Sequence, residues 1–270
     1  MIKDITIGQY VPGDSFIHKL DPRVKILISL IYIVDLFIVN SFKGYIFIVV
    51  FTLISILVSK VQFTYIYKGL KPIFILVLIT AVLNIFMTGG ANPPLFKWRF
   101  LVVYREGLIM AAFMALRLVF LIIGTSLLTL TTSPIELTDG IEKLLKPVSR
   151  IGVPSHELAM MMTIALRFIP TLMDETDKIM KAQIARGADL ESGNLIQKAK
   201  NLVPILVPLF ISSFRRADEL AMAMEARCYR GGEGRTRMKE LKLSNKDFIA
   251  SLCTLVLVCI SILSRIWWGK

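Results

Sequence analysis

Two arginines stand at matching places in this 270-residue sequence. Arg186 lies in Ala185-Arg186-Gly187 and closes the segment MDETDKIMKAQIARG. Arg227 lies in Ala226-Arg227-Cys228 and closes RRADELAMAMEARCYRGG. They are 41 residues apart, and the same offset lays Asp177 on Asp218, Ala182 on Ala223 and Ala185 on Ala226. The repeat is one of design more than of identity: an apolar face, a charged face, then an arginine at the tip. A helix that ends in Arg and Gly is ordinary, because the cation suits the helix dipole and glycine takes the left-handed cap. Two such ends say more. A guanidinium at a helix end is a forked, permanently charged donor that pairs bidentately with a carboxylate. Two tips fit two acidic grooves, and hence a paired protein partner.

Little else in the chain could do chemistry. No GxxxxGK[ST] loop, HExxH or GxSxG occurs. The two histidines, His18 near a turn and His156 near a helix start, read as solvated or capping groups. Asp174, Glu175 and Asp177 read as a solvated helix face. Cys228, Cys253 and Cys259 do not form a disulfide framework or a zinc site. No catalytic residue, cofactor-binding residue or metal site is assigned.

The elements that must position the two tips are membrane helices. Hydrophobic residues make up 55% of the chain and mean hydropathy is +0.66, above the range of soluble chains. Apolar runs at about 24–39, 45–58, 72–88, 107–131 and 248–263 are the candidate spans. The fold class is therefore an all-α integral membrane protein with about five membrane helices and an insert of long amphipathic helices. Asp35 sits near the end of the first run. Arg117 lies inside the fourth and reads as a packing or snorkelling arginine in preference to a transport residue. Pro93-Pro94 closes a loop that starts at Gly89, and Trp267-Trp268 reads as an interfacial anchor.

The net charge of +12 follows the spans. With the amino end inside, 25 of the 32 Lys and Arg fall on inner segments, six on outer ones, and Arg117 lies within a span. That is positive-inside topology, and no nucleic-acid partner is needed to explain it. The chain divides into 1–132 (four membrane helices), 133–247 (the cytoplasmic insert) and 248–270 (the last span and an outer tail).

In the insert, Ser133-Pro134-Ile135-Glu136 starts a short helix, and Ser155 is the expected cap of a longer one. The apolar pieces 158–169 and 202–214 are too short to span and are expected at or beneath the membrane interface. Ile169, Leu172, Met173, Thr176, Met180, Gln183 and Ile184 share one helical face; Phe210, Phe214, Ala217, Ala221 and Met224 form the other stripe.

This order of parts resembles the transmembrane T component of energy-coupling factor (ECF) vitamin and metal transporters. The sharpest likeness is at the two arginine tripeptides, where Cys228 stands in place of the family's glycine. The resemblance implies a subunit that binds no cofactor and catalyses nothing. ATP would be hydrolysed by two cytoplasmic ATP-binding subunits, docked at Ala185, Arg186, Gly187 and at Ala226, Arg227, Cys228. A membrane substrate-binding S component would face Met173, Met180, Phe210, Phe214, Ala217, Ala221 and Met224. The competing reading is a self-sufficient secondary transporter or channel, which would want paired repeats of spans and facing polar groups at mid-membrane.

Overall fold

A computed structural model describes residues 10–89, 96–98, 101–147, 154–189, 192, 194–231 and 241–268. Helices α1 (Pro22–Ile38), α2 (Phe42–Ser59), α3 (Phe63–Leu70), α4 (Phe74–Met87) and α5 (Arg105–Thr131) come first. Then follow α6 (Pro134–Leu145), α7 (Ser155–Ala185), α8 (Leu195–Ala226) and α9 (Asn245–Trp268). The chain is an all-α membrane protein. A small antiparallel ribbon, Phe96–Trp98 with Leu101–Val103, joins α4 to α5; no strand was expected there. Most of the loop expected at 89–94 lies outside the described residues.

Among the described residues, four stretches are long and apolar enough to cross a membrane: α2, Phe63–Met87, α5 and Asn245–Trp267. Helix α1, with 17 residues, occupies the first expected span. Pro72 does not open a span directly. It lies in a 3-10 turn, Lys71–Ile73, between α3 and α4.

Two compact units emerge, one made of residues 8–140 with 240–270 and the other containing 141–239. In the first, Tyr32, Leu36, Val39, Tyr45, Ile48 and Leu257 form one buried cluster, and Ile56, Val61, Ile66 and Leu130 another. Gly124 lets α5 approach α1, since a Cβ there would lie 2.5 Å from the Tyr32 ring.

Polar side chains fasten one end of this unit. Asp247, 2% exposed, accepts the backbone N–H groups of Asp21 and Ser244, both at 2.7 Å. Asp21 caps α1 and holds the Arg23 guanidinium at 2.7 Å. Burial pushes the Asp21 carboxyl up, but the side-chain and backbone donors of Arg23 outweigh it and hold the carboxyl below the usual range. Lys25 is buried and donates to the carbonyls of His18 and Thr131. His18 is held rather than solvated, with Ser15 Oγ at 2.6 Å and the Val11 carbonyl at 3.0 Å from its two ring nitrogens.

At the other end, Asp35 is 1% exposed and accepts from Ser261 Oγ on α9 at 2.9 Å. Arg117 crosses from α5 to the end of α1, donating to the Leu36 carbonyl at 3.2 Å and lying 4.9 Å over the Phe37 ring. That is the packing role.

A cavity of about 260 Å³ opens among α1, α2, α5 and α9. Its walls are apolar because the hydroxyls lining it turn back to their own helices: Ser29 to Ile26, Thr52 to Ile48, Thr131 to Leu127 and Thr254 to Ala250.

Candidate docking site at the helix tips

The second unit is dominated by α7 and α8, of 31 and 32 residues. Both absorb prolines. Pro170 lies inside α7, and Pro204 and Pro208 inside α8. A helical proline removes the N–H that its i−4 carbonyl needs. For Pro208 that carbonyl belongs to Pro204, and Gln183 Nε2 of α7 donates to it at 3.3 Å. The apolar pieces 158–169 and 202–214 are thus parts of two continuous helices. Helix α6 begins as expected, with Ser133 Oγ accepting from the Glu136 N–H. Ser155 does not cap α7: it is the first helical residue, the cap position is Pro154, and no side chain bonds there.

Both tips end in the same backbone motif. After α7, the Ala188 N–H reaches the Gln183 carbonyl at 3.0 Å, and the Gly187 N–H reaches Ile184 at 2.9 Å. After α8, Tyr229 reaches Met224 at 3.0 Å and Cys228 reaches Glu225 at 2.8 Å. These are two Schellman caps in the same register. Gly187 takes the left-handed position with φ +85, and Cys228 takes it with φ +57. Arg186 and Arg227 each stand one residue earlier, on the last carbonyls of their helices. Ala185, Arg186 and Gly187, like Ala226, Arg227 and Cys228, are all exposed. Among the described residues neither tip guanidinium makes an ion pair within the chain.

The two helices run antiparallel, since Gln183 meets Pro204 while Glu175 meets Ser212. At their crossing Arg216 Nη2 lies 2.7 Å from Glu175 Oε2. Residues 175 and 216 are themselves 41 apart, so the salt bridge joins equivalent positions of the two repeats. It lies 11 residues before each arginine, or about 16 Å along each helix at ~1.5 Å per residue. The pair therefore has an approximate two-fold axis through Glu175 and Arg216, with one tip at each end. The Ser212 hydroxyl first, and the Arg216 guanidinium with it, hold the Glu175 carboxyl below the usual carboxylate range.

The expected second face divides. Phe210 and Phe214 are 61% and 68% exposed, with ring centroids 6.4 Å apart. Ala217 and Ala221 are exposed beside them in sequence, while Met173, Met180 and Met224 are half-buried. Sequence reasoning missed Gln183, which it placed on an apolar face, and read Glu175 as solvated. The signals were available: a glutamine on an apolar stripe, and a proline four residues after another proline.

An antiparallel pair of long amphipathic helices with exposed cationic tips, joined in one chain to a set of apolar helices, defines an all-α membrane protein. Residues 13–238 match the family described as cobalt transport protein. The chain is 98% identical over 270 residues, all of both chains, to the energy-coupling factor transporter transmembrane protein EcfT of Clostridium kluyveri. It is 59% identical over 267 residues to the protein of that name from Thermosediminibacter oceani, covering 99% of this chain and all of the relative. To that of Bacillus subtilis it is 49% identical over 260 residues, covering 96% and 98%. The chain belongs to the family of energy-coupling factor transporter transmembrane proteins.

Proposed function

We propose that this chain is the scaffold and coupling subunit of its transporter. In this reading it catalyses nothing and binds no cofactor. Arg186 and Arg227 dock into acidic grooves on two ATP-hydrolysing subunits, one tip to each. The exposed Phe210, Phe214, Ala217 and Ala221 stripe, with Met173, Met180 and Met224 at its edge, faces a substrate-binding membrane partner for vitamin or metal uptake. The amino end, α7 and α8 lie on the cytoplasmic side. Closing of the ATPase pair moves the tips, and the antiparallel helices carry that motion to the substrate-binding partner.

The observation that carries this reading is the matched pair of tips. Two identical caps, each with an exposed arginine, sit at equal distances from a self-equivalent crossing. A pair of related subunits is the partner that such symmetry fits. A carrier acting alone is less well served, because the cavity among the spans has apolar walls.

Truncating or reversing one partner of a desolvated charge pair costs about 2–5 kcal/mol. Arg186→Glu with Arg227→Glu is therefore expected to abolish co-purification of the nucleotide-binding subunits, while detergent-solubilised protein keeps its elution profile and helical circular dichroism. Full retention of both subunits by the double variant would refute the docking role.

A further inference from the structure

The two tips share a backbone motif but not their support. At the 41-residue offset, Tyr229 of the second tip corresponds to Ala188 of the first. Tyr229 lies two residues beyond Arg227, and its hydroxyl is 3.4 Å from His156 Nε2, at the start of α7. His156 Nδ1 is 3.2 Å from Glu142 Oε1 on α6. The His156 and Glu142 side chains are 24% and 14% exposed. The two ring nitrogens of His156 thus link the Glu142 carboxylate to the Tyr229 hydroxyl. Ala188 has no side chain that could do the same, and the first tip is tied instead by Asn201 Nδ2 to the Asp189 backbone carbonyl at 2.6 Å.

We propose that His156 is a positioning residue for the Arg227 tip: through Tyr229 and Glu142 it braces that tip against α6 and α7. The tips are then alike in shape and unlike in stiffness. The Arg227 tip is braced from α6 and α7 through the Tyr229 side chain, while the backbone after Arg186 is held one residue further along, at the Asp189 carbonyl, by Asn201 of α8. As a statement about docking, this rests on the function proposed above. As a statement about the tip, it does not.

The test uses the full chain in lipid nanodiscs, with Cys253 and Cys259 replaced by alanine. A nitroxide on native Cys228 reports the second tip, and in a separate Cys228→Ser protein a nitroxide on Ala188→Cys reports the first. In His156→Ala and Tyr229→Phe the label at 228 is expected to lose its immobilised spectral component, and the label at 188 to keep its own. His156→Ala is also expected to lower retention of the nucleotide-binding subunits several-fold. An unchanged spectrum at 228 overturns the proposal. Equal loosening at 188 does so too, because it marks general loss of fold. A loosened tip at 228 in a protein whose unmutated form retains no nucleotide-binding subunit upholds the brace and overturns the docking role instead.

Discussion

Cys228 holds a backbone conformation that glycine holds at 187, and the two positions share one cap. A left-handed residue with a Cβ costs roughly 1–2 kcal/mol that glycine avoids. Around Gly187 a Cβ would meet nothing within 4 Å, so the penalty there is one of backbone alone. Cys228→Gly is expected to raise the thermal midpoint, by an amount equivalent to about 1 kcal/mol, and Gly187→Ala to lower it by a similar amount. Opposite signs at the two sites in a melting experiment support the shared cap; the same sign at both rules it out. Glu175 gives a second prediction. Its folded carboxyl titrates below the ordinary value, so its contribution is present above the unfolded pKa and is lost as pH falls through the folded one. The contribution of a partly exposed pair is within about 1 kcal/mol. Unmutated protein should therefore lose more thermal stability than Glu175→Gln on acidification below about pH 4. Superimposable pH profiles would show that the pair contributes nothing. The arginine tips were legible in the sequence because an Arg-Gly end is a local signal. The Glu175–Arg216 pair was not. A helical wheel shows that a residue is charged and which side it takes, but not which helix will come to lie opposite.

At the scale of elements, prolines were the least legible feature. Pro170, Pro204 and Pro208 lie inside α7 and α8, which run through them. What the sequence pattern cannot supply is the donor from another helix. Gln183 supplies it for the carbonyl that Pro208 leaves open. An intramolecular hydrogen bond contributes about 0.5–1.5 kcal/mol net. Gln183→Leu is expected to cost about that in the natural background and less in Pro208→Ala, where the helix regains its own N–H. A double-mutant cycle on thermal or denaturant unfolding of the detergent-solubilised chain measures the difference. Additive effects would show that Gln183 does not serve the open carbonyl. Spans were legible for the opposite reason: an apolar run long enough to cross lipid is a one-dimensional signal. Helices α1, α2, α4, α5 and α9 appear where the hydropathy placed them. The knot at Asp21, Lys25 and Asp247 did not announce itself, because it brings together residues 226 positions apart.

For the whole molecule, the decisive quantity is which side of the membrane each tip occupies. ATP is inside the cell, so tips that meet ATP-hydrolysing subunits must be inside too. The skew of Lys and Arg toward the amino end, the 60–71 segment and the insert asks for the same orientation. In that orientation, five spans, counting α1, would put the turn after α4 outside. Two cysteines make this testable in a chain with Cys253 and Cys259 changed to alanine. Native Cys228 is exposed at the second tip. Gly89 follows α4, and a Cβ there meets nothing within 4 Å, so Gly89→Cys, made with Cys228→Ser, reports the opposite side at little structural cost. A membrane-impermeant maleimide given to intact cells is expected to label the cysteine at 89 and spare Cys228; in inverted vesicles the pattern should reverse. Labelling of Cys228 from outside would leave the tips beyond the reach of any nucleotide-driven partner. The symmetric pair of arginines would then need a different explanation altogether.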